Sequence, residues 1–138
     1  MRKVLAIALV LSGWLTQVGV AQNCLSYEPA VVEVSGKILR KTLPGPPNYE
    51  SVKRGDQPET GWYLHLTKPI CVDGKEGDEF NQPAKGVTDL QLVFVKQDKP
   101  YQQYRKFLNQ NVVIKGTLFG AQTGHHHTPV LLEVEEIR

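Results

Sequence analysis

Between Gly61 and Val72 the chain alternates Trp62, Leu64 and Leu66 with Tyr63, His65 and Thr67. A period of two puts each set on its own side of an extended backbone, the pattern of a strand with one buried face. Four other runs share this character. Val32, Val34 and Ile38 have one parity in Val31–Lys41, and Leu90, Leu92 and Phe94 have one parity in Leu90–Val95. Val112, Ile114 and Leu118 do the same in Asn111–Phe119, as do Val130, Leu132 and Val134 in Val130–Ile137, where Glu133 and Glu135 point outward. Gly36 and Gly116 stand inside the first and fourth runs where a side chain would otherwise sit, which predicts bulges or sharp bends of the kind a curling strand needs. One stretch differs. Tyr101, Tyr104 and Leu108 fall at i, i+3 and i+7, which predicts a helix over Tyr101–Leu108 with Asn109 and Asn111 as stop residues. The order is three strands, a helix, then two strands. It predicts a mainly β fold, an OB-like five-stranded Greek-key barrel with one helix between strands 3 and 4. The alternative is a small open sheet with one packed helix.

The connections are as informative as the strands. Thr42–Thr60 is long and irregular, with Pro44, Pro46, Pro47 and Pro58 stiffening it. Its Arg54-Gly55-Asp56 tripeptide reads as a tight turn. Pro69 breaks the ladder of the second run, so Ile70-Cys71-Val72 is a kinked or edge extension. Asp73–Asp89 gathers Asp73, Glu76, Asp78 and Glu79, but without the alternate oxygen ligands and final glutamate of a calcium loop. It reads as a solvated hairpin loop.

The N-terminus reads as a targeting segment. Arg2 and Lys3 precede the apolar Val4–Leu11, and Gly19-Val20-Ala21 supplies small residues for cleavage after Ala21. The expected organisation is a signal peptide over 1–21 and a single OB-like domain over 22–138, periplasmic or secreted. The apolar run falls short of the roughly 20 residues of a spanning helix. Asn23, not a small residue, precedes Cys24, which argues against a lipidated cysteine, so no membrane anchor is expected after cleavage. Of 16 basic and 14 acidic residues, Arg2 and Lys3 leave with the signal, so the mature chain is formally neutral. That removes the basic footprint expected of a nucleic-acid-binding protein. In an oxidising compartment Cys24 and Cys71 are expected to pair, the alternative being two buried thiols.

The motifs GPPNYES (Gly45–Ser51), PICV (Pro69–Val72) and GTLFGAQTGHHHTPVLL (Gly116–Leu132) resemble those of a family of small exported bacterial domains of unknown function. The resemblance spans Cys24–Ile137 and takes in Asp56–Glu59 of the long loop. It implies an exported domain and carries no activity with it.

In an OB barrel the loop after the first strand and the loop between the fourth and fifth flank the usual binding face. Here these are the 42–60 loop and the 120–129 loop with His125, His126 and His127. The expected ligand-binding residues are therefore Tyr49, Glu50, Asp56, Glu59, His125, His126 and His127, for a protein, peptide or envelope ligand. His125 and His127 point the same way in extended backbone, so they could instead hold zinc or copper with a carboxylate from the first loop. A third possibility is that the imidazoles brace a turn by bonding to backbone, Tyr49 or Glu50. His65 reads as exposed or hydrogen-bonded. No nucleophile elbow and no HExxH motif occurs, and no catalytic residue is assigned. Tyr101, Tyr104 and Phe107 read as core residues at helical spacing, not as a stacking platform for bases.

Overall fold

The computed structural model describes residues 23–138; the expected signal peptide over 1–21 lies outside them. The fold is mainly β. Six strands form one mixed sheet: β1 (Leu25–Ser26), β2 (Val31–Pro44), β3 (Pro58–Asp73), β4 (Ala84–Val93), β5 (Asn111–Gly120) and β6 (Val130–Ile137). β2 pairs antiparallel with both β3 and β5, β5 with β6, and β3 with β4, while β4 runs parallel to β6. These pairings return to the strand they started from, giving the ring expected of an OB-like barrel. The ring closes unevenly. β4 meets β6 over only Gln91–Val93 against Leu131–Glu133, and the β3–β4 ladder slips between His65 and Ile70.

β2 serves two neighbours. Val31–Lys37 pairs with β5, and Gly36–Pro44 pairs with β3. The strand turns from one to the other at Gly36, which is registered with both Val112 and Leu66. A Cβ at Gly36 would lie 2.2 Å from the carbonyl oxygen of His65, and one at Gly116 would lie 2.1 Å from that of Glu133. At both positions the backbones approach more closely than any side chain permits.

Ile38, Leu64, Leu90, Ile114, Leu118 and Leu132 are fully buried, all on the expected parity, and Trp62 is buried with them. Burying an aliphatic side chain of this size contributes roughly 1.5–3 kcal/mol. Tyr63 and Leu131 depart from the alternation. They are buried although they belong to the outward set, and they lie outside the main core cluster. Each is registered with Gln91 of β4, so they form one row across the outside of the barrel.

Four expectations need correction. The strands β2 and β3 run on through Leu43 and Glu59, so the long loop shrinks to 45–57, with a 3₁₀ turn at Val52–Arg54. The helix is a four-residue α1 (Pro100–Gln103) followed by a 3₁₀ turn at Arg105–Phe107, because Tyr104 leaves helical backbone at φ −102, ψ 7. So short a segment has too few internal hydrogen bonds to hold a helix by itself and is kept by packing. Tyr104 accordingly sits in the core with Phe107 and Leu108 against it, while Tyr101 is half exposed. The two-residue β1 is the third, too short to show any period in the sequence. The fourth is β4, which begins at Ala84 and ends at Val93 where a strand over Leu90–Val95 was expected, so the expected 73–89 loop shrinks to 74–83.

Cys24 and Cys71 form a disulfide. It fastens the entry to β1 beside the end of β3, where Leu25 pairs with Val72. The closed loop has a sequence separation of 47 residues. The chain-entropy account gives about 4 kcal/mol for a loop of that length. Replacing both cysteines by serine is expected to lose about that much stability, read as a lower urea midpoint. An unchanged midpoint would mean that the β1 segment contributes nothing to the fold.

Candidate functional site

The 45–57 loop is organised around one carboxylate. Asp56 is 5% exposed, and its oxygens accept N–H groups of Asn48 at 2.9 Å, Glu50 at 2.7 Å and Ser51 at 2.8 Å. The bonds from Ser51 and Glu50, then that from Asn48, hold its carboxyl below the usual aspartate range against the opposing effect of burial. Asp56 is thus an internal brace, both of its oxygens engaged by backbone N–H groups of the loop. The Arg54-Gly55-Asp56 tripeptide lies in the tight turn expected of it: Gly55, at φ 113, ends the 3₁₀ turn, and the Asp56 carboxylate is turned inward. Glu50 also leaves the site: its carboxylate pairs with Arg54 at 3.3 Å on the surface. Tyr49 is different. Its backbone is left-handed, at φ 58, and its ring stays 38% exposed.

The histidine loop is gripped by β4. The Gln91 side chain accepts the N–H of His127 at 2.6 Å and donates to the carbonyl of His125 at 3.1 Å. The backbone N–H of Gln91 donates to Thr128 Oγ1 at 3.0 Å, and that hydroxyl donates to the carbonyl of Val130 at 2.6 Å. A glutamine amide offers both a donor and an acceptor, so one side chain acts here as a strand neighbour would.

Glu59 joins the two loops. At the start of β3, registered with Leu43, it presents Oε1 to His125 Nδ1 at 2.5 Å and Oε2 to His127 Nε2 at 2.7 Å. His125 and His127 converge on this carboxylate although the backbone at 123–125 is a turn and not the extended chain expected, and the acid they hydrogen-bond is Glu59 and not Glu50. The hydrogen bond from His127, then that from His125, holds the Glu59 carboxyl below the usual glutamate range despite its partial burial. His127 is largely covered, whereas the His125 side chain is 62% exposed. The Tyr49 ring meets His125 edge-on at 5.9 Å. It also lies against Gly124, where a Cβ would come within 2.7 Å of the ring, so a side chain there would push the Tyr49 ring aside.

His126 turns away. Its Nδ1 accepts the N–H of Gln122 at 2.9 Å, and its ring meets Phe119 edge-on at 5.7 Å. Burial, then the charges of His125 and His127, pushes its pKa down. His65 is exposed and hydrogen-bonded, its Nδ1 lying 3.1 Å from Asp89, which also pairs with Lys41 at 3.3 Å.

The outcome is a groove of about 300 Å³ lined by Glu59, Tyr63, Gln91, Tyr101, His125 and His127. Of the residues expected from sequence, Tyr49, Glu59, His125 and His127 come together; Glu50, Asp56 and His126 do not. Gln91, Tyr63 and Tyr101 were not foreseen. Among the described residues no group of three or more His, Cys, Asp or Glu side chains is arranged to hold a metal ion. In chemical terms the groove offers an aromatic face, an exposed imidazole, and a carboxylate already shared between two histidines.

A family described as a domain of unknown function (DUF4431) matches residues 89–138. The matched stretch contains Gln91 and the histidine loop, and with it the GTLFGAQTGHHHTPVLL motif; it leaves out Tyr49, Glu59 and the GPPNYES and PICV motifs. No curated protein matches the chain.

The Glu59 bridge has a pH signature. A carboxyl with a depressed folded-state pKa stabilises the fold above its unfolded value, about 4.3 for glutamate, and that contribution disappears as pH falls through the folded value. Glu59→Gln is therefore expected to lower Tm by a few degrees at neutral pH, and the gap to wild type should close below about pH 4. A gap that is constant with pH would show that the carboxylate charge is irrelevant to the bridge.

Proposed function

We propose that this protein is an exported, non-enzymatic binding module that recognises a protein, peptide or envelope ligand through the histidine groove and the adjoining Tyr49 ring. The observation that carries the reading is the pairing of an exposed Tyr49 ring with an exposed His125 imidazole on a platform fixed from beneath by Glu59 and Gln91. Tyrosine is a common anchor in recognition surfaces because it brings a large amphipathic area with little rotamer freedom to lose. Fixing both loops in advance removes part of the ordering cost of binding. The Cys24–Cys71 disulfide is consistent with an oxidising compartment and supports the exported location.

The same side chains also support a second reading, as a metal-binding protein or small metalloenzyme that uses His125 and His127 for zinc or copper. What favours it is that two imidazole nitrogens address one carboxylate. What weighs against it is that both nitrogens are engaged by Glu59, which would have to swing aside for an ion to enter.

Two measurements separate these readings. Elemental analysis of protein purified without a histidine tag is expected to find no zinc or copper near stoichiometry; a stoichiometric metal would replace the first reading with the second. Tyr49→Ala combined with His125→Ala is expected to weaken capture of the partner from an envelope extract by at least about tenfold while Tm falls by no more than for Glu59→Gln. Capture of the same species at the same strength would mean that another surface binds.

A further inference from the structure

We propose that a second cavity, on the side of Tyr101 away from the histidines, binds an organic oxyanion: a carboxylate or phosphate group carried on a ring. It has a volume of about 610 Å³ and lies where β2, β3 and the α1 segment meet, lined by Arg40, Thr60, Trp62, Tyr101, Gln102 and Arg105. Four arginines fall within the described residues. Arg54 pairs with Glu50 and Arg138 with Glu33, but Arg40 and Arg105 have neither a carboxylate within 4.0 Å nor a hydrogen-bond partner among the described residues. These two unpaired guanidinium groups, brought from positions far apart in the sequence, open onto one cavity. A guanidinium presents five donors in a planar fork that matches an oxyanion and accepts nothing itself. No acidic side chain lines the cavity to compete for them.

The remaining wall is aromatic and held in place. Tyr101 is half exposed, yet its ring meets Trp62 edge-on at 5.2 Å and Phe94 at 5.6 Å. Such pairs fix a ring's orientation and leave its free face to stack on a ligand ring. Trp62 is 5% exposed, and its indole N–H has no acceptor among the described residues. Two cationic forks beside an oriented aromatic wall select a ligand with negative charge at one end and a ring at the other. Helical spacing alone had placed Tyr101 in the core, so its exposure is what makes this wall visible. The cavity shares Thr60 and Tyr101 with the histidine groove but none of its histidines, and the inference does not rest on the function proposed for that groove.

The test follows the assigned Trp62 indole resonance during titration with phenyl phosphate and with glucuronate, and with inorganic phosphate and phenol as controls. At least one ring-borne oxyanion is expected to bind saturably with Kd near or below about 1 mM. Inorganic phosphate and phenol should each bind at least about tenfold more weakly, because each lacks one half of the recognition. Arg40→Gln and Arg105→Gln should each cost about tenfold or more, whereas His125→Ala should leave the titration unchanged. Both arginines are exposed, so Tm of each variant serves as the check on folding. The proposal is overturned if neither ring-borne oxyanion shifts Trp62 saturably by about 10 mM, if both arginine variants keep wild-type affinity, or if inorganic phosphate alone binds as well.

Discussion

β2 hydrogen-bonds two neighbours in succession, and the rest of the barrel is arranged around the change of partner at Gly36. Up to that point β2 belongs to β5; beyond it β2 belongs to β3. The backbone of β3 passes so close to Gly36 that the pairing on this edge requires a position with no side chain. From there the β2–β3 ladder runs out through Leu43 and Glu59 to Pro44 and Pro58. That outward run carries Glu59 from the body of the barrel to the two imidazoles it holds. The position of the groove is therefore decided by strand pairing, and the two loops only complete it.

The two cavities use charge in opposite ways. In the histidine groove the one carboxylate is committed to its neighbours, with an oxygen for each imidazole. Across Thr60 and Tyr101 the guanidinium groups of Arg40 and Arg105 are uncommitted. A chain whose charges nearly balance overall thus contains a local imbalance, and a formal net charge says nothing about it. The aromatic residues separate the two environments, with Tyr101 standing between them and Trp62 and Phe94 holding it.

The barrel was legible because its strands obey a period of two, and the fully buried Ile38, Leu64, Leu90, Ile114, Leu118 and Leu132 all lie on the expected side. Gly36 and Gly116 were legible for a related reason, since an apolar run has little other use for glycine. The site was only partly legible. His125 and His127 converge on one carboxylate, but which acid they meet depends on where β3 begins, and sequence placed that start too late. Glu50, Asp56 and Glu59 look alike in a string; Asp56 is distinguished by three backbone N–H groups that converge only once the loop is folded. Gln91 carries no local signal, because its partners lie more than thirty positions away. The same holds for Arg40 and Arg105. The spacing of Tyr101–Leu108 named real core residues in Tyr104 and Leu108, yet so short a segment breaks into an α turn and a 3₁₀ turn.

The grip of Gln91 on the histidine loop has a consequence for how this surface could change. Its amide reads only the carbonyl of His125 and the N–H of His127, groups that every non-proline residue possesses. The hold of Gln91 on the loop is thus indifferent to the side chain at position 125, and only the contacts with Glu59 and Tyr49 depend on what stands there. Shape and lettering are separable here. A protein built this way can exchange the character of its outermost contact while the path of the chain beneath it stays fixed.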